Sequence, residues 1–241
     1  MQLKIGMLLD TEFPPDLRVE NEMRTLVEAG YDVHLLCYDF SGLKKEMEIF
    51  DHNLTIHRIR VQKQFHNKFN ALALTFPVYF AFWKRQAKKW LNQLNINIIH
   101  VHDLRLAKIG QWSKEKFDIP YVLDLHENYP AALRHYAFYN SFLGKHLISL
   151  KRWDQYEQEQ VFKADAIIAV IEEMGERIES LGVSRDKIFV VPNYINIDTF
   201  DDQKIDIAID RKDDEFLLFY SGGFDKHRGL DTLINAMKHI Q

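Results

Sequence analysis

Residues 3–38 read LKIGMLLDTEFPPDLRVENEMRTLVEAGYDVHLLCY. Leu3–Leu9 is apolar on nearly every residue, the pattern of a strand buried on both faces of a parallel sheet. Asp16 stands where a helix needs a capping acceptor, and Val19, Met23, Leu26 and Val27 fall on one face at helical spacing. Gly30 supplies a residue that can turn left-handed and end that helix. Asp32–Tyr38 is a second apolar run. A strand, a helix and a strand with short connections form a right-handed βαβ unit, so the chain opens as a doubly wound α/β protein.

The same alternation continues outward. Further strands are expected at Leu54–Val61, Ile96–Val101, Pro120–Leu125, Ala166–Ile171 and Lys187–Val191, with helices over 67–94, 105–117, 145–163 and 173–181. Together they predict a mostly parallel, Rossmann-like sheet. The pattern changes after Pro192. Residues 193–214 show no clear period, then Phe216–Tyr220 reads as a fresh buried strand, Ser221-Gly222-Gly223 as a turn and Leu230 onward as a helix. One strand and one helix cannot bury a core. The expected organisation is therefore a Rossmann-like domain over 1–192, an acidic linker over 193–214, and the first unit of an incomplete second Rossmann-like domain over 215–241. Left uncovered, strand 216–220 is an edge that predicts a dimer through it.

Composition narrows the function classes. Hydrophobic residues make up 46% of the 241 positions and charged ones 27%, which excludes a disordered chain. Thirty-five acids against 31 bases leave a net charge of −4, so the chain as a whole is no nucleic-acid binder. A single cysteine, Cys37, excludes an internal disulfide and a cysteine-based zinc site, and fits a reducing compartment. MQLKIGMLLD has no basic start and reaches Asp10 too soon for a signal peptide, so the expected location is cytoplasmic.

Charge is unevenly spread. Positions 52–102 hold no acid but carry Arg58, Arg60, Lys63, Lys68, Lys84, Arg85, Lys88 and Lys89, whereas Asp198–Glu215 holds eight acids and three bases. The apolar run Ala71–Trp83 has 13 residues, short of the ~20 needed to span a bilayer. A buried helix is the favoured reading of its apolar residues, but it leaves the missing acids unexplained, and an interfacial helix stays open. Residues 58–89 are expected to face an anionic membrane, making the protein peripheral on its inner surface.

Ligands of doubly wound sheets sit at the carboxyl ends of the strands. The turn after the first strand, Thr11–Arg18, has no glycine, which argues against a dinucleotide cofactor, and no phosphate-loop motif occurs. That turn presents Glu12, Asp16 and Arg18, either as a capped helix start with solvated charges or as a substrate contact. His100 and His102 lie two apart and leave their strand on one face. Asp103 follows them, and His126-Glu127 closes the next strand. Three readings of this constellation stand: a metal site, as in a metal-dependent hydrolase; buried structural histidines; or a crevice that holds a polar sugar. Near the other end, Gly222 and Gly223 can turn backbone N–H groups toward an anion, with Arg228 as a cation beside them.

The ordered set Pro15-Asp-Leu-Arg-Val19, Leu26–Val33, Ile99-His-Val-His-Asp103, Val122-Leu-Asp-Leu-His-Glu127, Ala164–Ile168, Val191-Pro-Asn193 and Phe219–Gly229 resembles the retaining GT-B glycosyltransferases of family 4. The resemblance implies transfer of a sugar from a nucleotide-sugar donor to a lipid-linked or saccharide acceptor, in bacterial surface-polysaccharide or glycolipid assembly. It makes residues 1–192 the acceptor-binding domain and 215–241 the start of the donor-binding one. It places His126 beside the reacting sugar as the catalytic residue, with Glu12, Asp16, Arg18, His102, Asp103 and Glu127 toward the acceptor. Gly222, Gly223 and Arg228 then meet the donor diphosphate, and no metal or other cofactor is implied. This chain departs from the family in having Gly223 where many members carry arginine, and Arg228 where they carry lysine. The family's pair of glutamates would fall beyond Gln241. The chain is therefore expected to be inactive alone, and a non-catalytic, membrane-docking acceptor subunit of a two-chain enzyme is the alternative.

Overall fold

The computed structural model describes residues 2–64, 66, 70, 72–195, 197, 216–224 and 228–239. The chain divides into two compact units, Met1–Tyr194 and Ile195–Gln241. The first contains strands β1 (Lys4–Glu12), β2 (Asp32–Asp39), β3 (Met47–Asp51), β4 (Leu54–Arg60), β5 (Ile98–His102), β6 (Tyr121–Leu125), β7 (Ala166–Ala169) and β8 (Ile188–Val190). Its helices are α1 (Leu17–Glu28), α2 (Val78–Leu94), α3 (Ala107–Phe117), α4 (Tyr129–Leu133), α5 (Ala137–Asn140), α6 (Phe142–Leu147), α7 (Leu150–Lys163) and α8 (Glu172–Ser180). One sheet runs β3-β4-β2-β1-β5-β6-β7-β8, parallel except where β3 pairs antiparallel with β4. This is the doubly wound α/β architecture expected from residues 3–38.

The local signals explain much of it. The Asp16 carboxylate accepts from the Arg18 and Val19 N–H groups and caps α1, and Gly30 takes φ 89° just past its end. Strand alternation then sorts the sheet into two faces. Ile99, Val101, Leu123 and Leu125 join a core with Trp83 and Trp90 of α2, Ile109 of α3, Trp153 of α7 and Ile178 of α8. The opposite face packs Ile5, Met7, Leu9, Leu35 and Ile56 against Val19 and Met23 of α1. His100, His102 and Asp124 occupy the alternate positions, so they emerge on the α1 face.

Several expectations change. β3 was not anticipated: it is a five-residue edge strand with Met47 and Ile49 exposed, so it lacks a buried-strand signature. It also alters the basic stretch, because Glu48 pairs with Arg58 at 2.7 Å and Glu46 with Arg60 at 3.9 Å. The first part of 58–89 is therefore no free cationic surface. Of the helix expected over 67–94, Val78–Leu94 forms behind Pro77, whose ring disfavours helical geometry in the residue before it; 67–69 and 71 lie outside the described residues. The helix expected over 145–163 breaks at Ile148, and Ser149 caps α7 by accepting from Arg152 N–H.

In the second unit, α9 (Leu230–Ala236) forms, but 216–220 is neither buried nor in a strand. Phe216 is 86% exposed and Phe219 82%, and no ladder partner for them exists among the described residues. The edge strand on which the dimer was predicted is thus absent there. Most of the 193–214 linker lies outside the described residues.

One close approach gives a test of the packing. A Cβ at Gly110 of α3 would stand 2.5 Å from Tyr121 Cδ2 and 2.8 Å from Val101 Cγ2. Alanine gains up to about 1 kcal/mol of helix propensity over glycine, but overpacking costs about 1–3 kcal/mol. Gly110→Ala is expected to lower the urea midpoint, and a midpoint at or above wild type would contradict this packing.

Candidate active site

The parallel register of β5 and β6 sets His102 directly beside Asp124, with His126 just beyond the end of β6. His100, His102 and His126 form a row of tilted-stacked rings, 4.5 Å between the first two centroids and 5.7 Å between the second two. Asp124 lies along this row. Its Oδ2 accepts from His100 Nε2 at 3.2 Å and lies 3.2 Å from His102 Nδ1 and 3.0 Å from His126 Nε2, while His102 Nδ1 and His126 Nε2 are 3.4 Å apart. Asp124 and His102 are fully buried. From α1, Glu22 Oε2 approaches His100 Nε2 at 3.4 Å and His102 Nε2 at 3.9 Å.

These contacts set the protonation pattern. Burial presses against the Asp124 charge, but three imidazole donors outweigh it and hold the carboxyl well below its ordinary value. Burial likewise opposes charge on His100 and His126, and Asp124 overrides it, raising both. For His102 burial wins, with His100 beside it adding repulsion, and its pKa falls to about 4. Burial, then the Asp124 charge, pushes Glu22 up to about 7. His126 Nδ1 and His102 Nε2 are enclosed and have no hydrogen-bond partner. Donor atoms of Glu22, His102, Asp124 and His126 lie within 4.8 Å of one another, a set that could hold a divalent cation.

The other expected residues distribute around this row. Arg18 pairs with Asp16 at 2.9 Å and lines a cavity of about 530 Å³ together with Asn21, Glu22, His100 and Tyr194. Asp103 is held at φ 66°, 3.8 Å from Arg105. Arg105 reaches the wholly buried Asp10 at 2.8 Å, and Tyr79 Oη donates to the same carboxylate at 2.7 Å. Glu12 instead pairs with Lys44 at 3.3 Å, and Glu127 accepts from Tyr136 Oη at 2.9 Å. Gly222, Gly223 and Arg228 belong to the second unit, where Tyr220 Oη donates to the Gly223 carbonyl at 2.8 Å. Sequence reasoning missed Glu22, Asp124, Asp10 and Arg105. The signals for two were present: Glu22 is four residues after Arg18 on α1, and Asp124 alternates with His126.

A doubly wound sheet whose strand order reverses between β1 and β5, with the titratable cluster on the adjoining strands β5 and β6, is a Rossmann-like domain. The model of Glycosyltransferase Family 4 matches residues 18–199, and the chain belongs to that family. No curated protein sequence gives a significant match. Among solved structures, sucrose-phosphate synthase from Thermosynechococcus elongatus aligns with TM-score 0.70 and 13% identity, covering 99% of this chain and 60% of that one. The Glycyrrhiza uralensis enzyme UGT73P12, complexed with glycyrrhetinic acid 3-O-monoglucuronide, aligns with TM-score 0.51 and 10% identity over 79% of this chain and 49% of that one. The chain thus spans less than two thirds of either neighbour.

Glu22 provides a pH test. Its folded value of about 7 exceeds the ordinary 4.5, so between those values the folded state keeps a proton that the unfolded state has lost. Stability contributed by this group falls as pH rises through that window. Glu22→Gln stays neutral, so its unfolding free energy relative to wild type should climb across the window and level off above it. A difference that stays flat with pH would contradict the buried placement of this carboxyl.

Proposed function

We propose that this chain is the acceptor-side part of a retaining GT-B glycosyltransferase that moves a sugar from a nucleotide-sugar donor to a lipid-linked or saccharide acceptor in bacterial surface-polysaccharide or glycolipid assembly. The observation that carries the reading is the Asp124-bound imidazole row beside the α1 cavity, in a chain of Glycosyltransferase Family 4. His126 keeps its Nε2 proton 3.0 Å from Asp124 Oδ2, and that carboxylate fixes the ring and favours its charged form. Its Nδ1 is enclosed and has no protein partner, so a sugar oxygen meets it at the end of β6 once the side chains covering it move aside. Arg18, at the mouth of the cavity, adds a cation that can bind an acceptor hydroxyl or phosphate.

His102 has no exposed surface, so its contribution to acceptor binding is to keep Asp124 and His126 in place. Asp103 is positioned by Arg105, and Asp16 acts by holding Arg18. Glu12 and Glu127 extend the polar rim. The donor diphosphate is assigned to the Gly222 and Gly223 backbone and to Arg228. Transfer in this proposal needs no metal ion, because imidazoles already surround the Asp124 carboxylate and stabilise its charge.

In an enzyme that joins this chain to a complete donor half, His126→Ala should keep the fold and reduce turnover at least about tenfold, equivalent to a loss of about 1.4 kcal/mol of transition-state stabilisation. A chelator should leave wild-type turnover unchanged. Full activity of the folded alanine variant would remove His126 from the site, and loss of transfer with the chelator would put a metal ion among Glu22, His102, Asp124 and His126.

A further inference from the structure

Three metal-ligating atoms converge where β5 and β6 end. Asp124 Oδ2, His102 Nδ1 and His126 Nε2 form a triangle with sides of 3.0, 3.2 and 3.4 Å. Hydrogen bonding accounts for each side singly but not for the set. Counting His100 Nε2, three nitrogens crowd one carboxylate oxygen. The other oxygen, Asp124 Oδ1, is enclosed and has no hydrogen-bond partner among the described residues.

The spacings are close to those of a coordination polyhedron. Zinc holds imidazole nitrogens and carboxylate oxygens at about 2.0–2.2 Å in a tetrahedron, whose edges are then about 3.3–3.5 Å. An ion seated on the triangle needs its ligands to spread by only a few tenths of an ångström. A fourth ligand is at hand: Glu22 shares the cluster, its donor atom within 4.8 Å of the others, and its Oε2 is enclosed without a hydrogen-bond partner. Glu22 also lines the α1 cavity of about 530 Å³, which gives an ion a way in. His100 serves as the outer support, because its Nε2 lies 3.2 Å from Asp124 Oδ2 and 3.4 Å from Glu22 Oε2. Two imidazoles and two carboxylates suit zinc, whereas magnesium and calcium take more ligands and take them as oxygen.

We propose that Glu22, His102, Asp124 and His126 form an inhibitory zinc site. The ligands stand on β5, just past β6 and on α1, so the sheet register and the packing of α1 hold them together before any ion arrives. Zinc on His126 Nε2 takes the electron pair that holds the proton there. The ring can then no longer be the charged donor that transfer uses, and it is fixed to the ion. The zinc site stands on the geometry alone; its inhibitory effect rests on the glycosyl-transfer reading.

The test is calorimetric titration of the intact, chelator-treated chain with zinc chloride, and with magnesium and calcium chloride as comparisons. One equivalent of zinc is expected to bind, and neither of the other ions. His126→Ala and Glu22→Gln should each weaken zinc binding about tenfold or more, while the exposed pair His52→Ala/His146→Ala leaves it unchanged. In the wild-type chain, which needs no variant to fold, zinc should shift the side-chain nitrogen signals of His102 and His126 but not those of His52 and His146. Cobalt(II) chloride in place of zinc should give the intense visible bands of a four-coordinate ion. In an enzyme that joins this chain to a complete donor half, zinc should stop transfer and a chelator should restore it. Absence of zinc binding, binding lost in His52→Ala/His146→Ala, a six-coordinate cobalt spectrum, or full transfer by the zinc-loaded enzyme would overturn the proposal. A joined enzyme that moves no sugar even with the chelator would count against the transfer reading, and the titration would still decide the zinc site.

Discussion

A carboxylate with no exposed surface, Asp124, is the fixed point of the crevice. A charge taken out of water is strongly destabilising unless matched, and here three imidazoles supply the match. The match exists because β5 and β6 are parallel neighbours in a register that sets His102 against Asp124. A register shift of one residue would turn the side chains of one strand to the other face. The crevice therefore depends on the sheet, and the sheet's opposite core depends on Ile99, Val101, Leu123 and Leu125, which interleave with the same polar residues.

A second buried charge works the same way one strand over. Asp10, at 0% exposure near the end of β1, is met by Arg105 and Tyr79. Arg105 sits in the 3₁₀ turn after β5 and lies 5.4 Å from the Tyr129 ring centroid, at the start of α4. The ends of β1 and β5 and the segment following β6 are thereby linked through one guanidinium. Asp103 takes its left-handed conformation inside this link, with its N–H donating to the Asp124 carbonyl at 2.9 Å. The two networks share that backbone bond, so the polar crevice and the strand ends are a single construction.

The parts of this fold legible in the sequence are those where local pattern and tertiary role agree. Residues 3–38 carry their own cap, apolar stripe and terminating glycine, and they form as read. The places of His126 and Arg18 in the fold were legible, since a strand end and a helix start set them there: His126 lies beside Asp124 and Arg18 lines the α1 cavity. Legibility failed where a contact depends on a distant partner. β3 alternates exposed and half-buried residues and exists through its pairing with β4, and Glu48 within it and Glu46 just before it meet Arg58 and Arg60. Glu22 reads as one more acid on a solvated helix until the histidines of β5 are set beside it. Asp124 reads as an interruption in a strand until its three partners are in place. The 216–220 run failed in the other direction: its composition is that of a buried strand, yet the described residues offer nothing to pair with it.

The central claim is that one carboxylate organises three histidine rings into a polarised row. Long-range proton–nitrogen correlation spectra of the histidine side chains, recorded as pH is varied, test it most directly. The account predicts His102 neutral at near-neutral pH with its proton on Nδ1, and His100 and His126 retaining their charge above the pH at which an ordinary imidazole loses it. Three rings that titrate together at the ordinary imidazole value would contradict it.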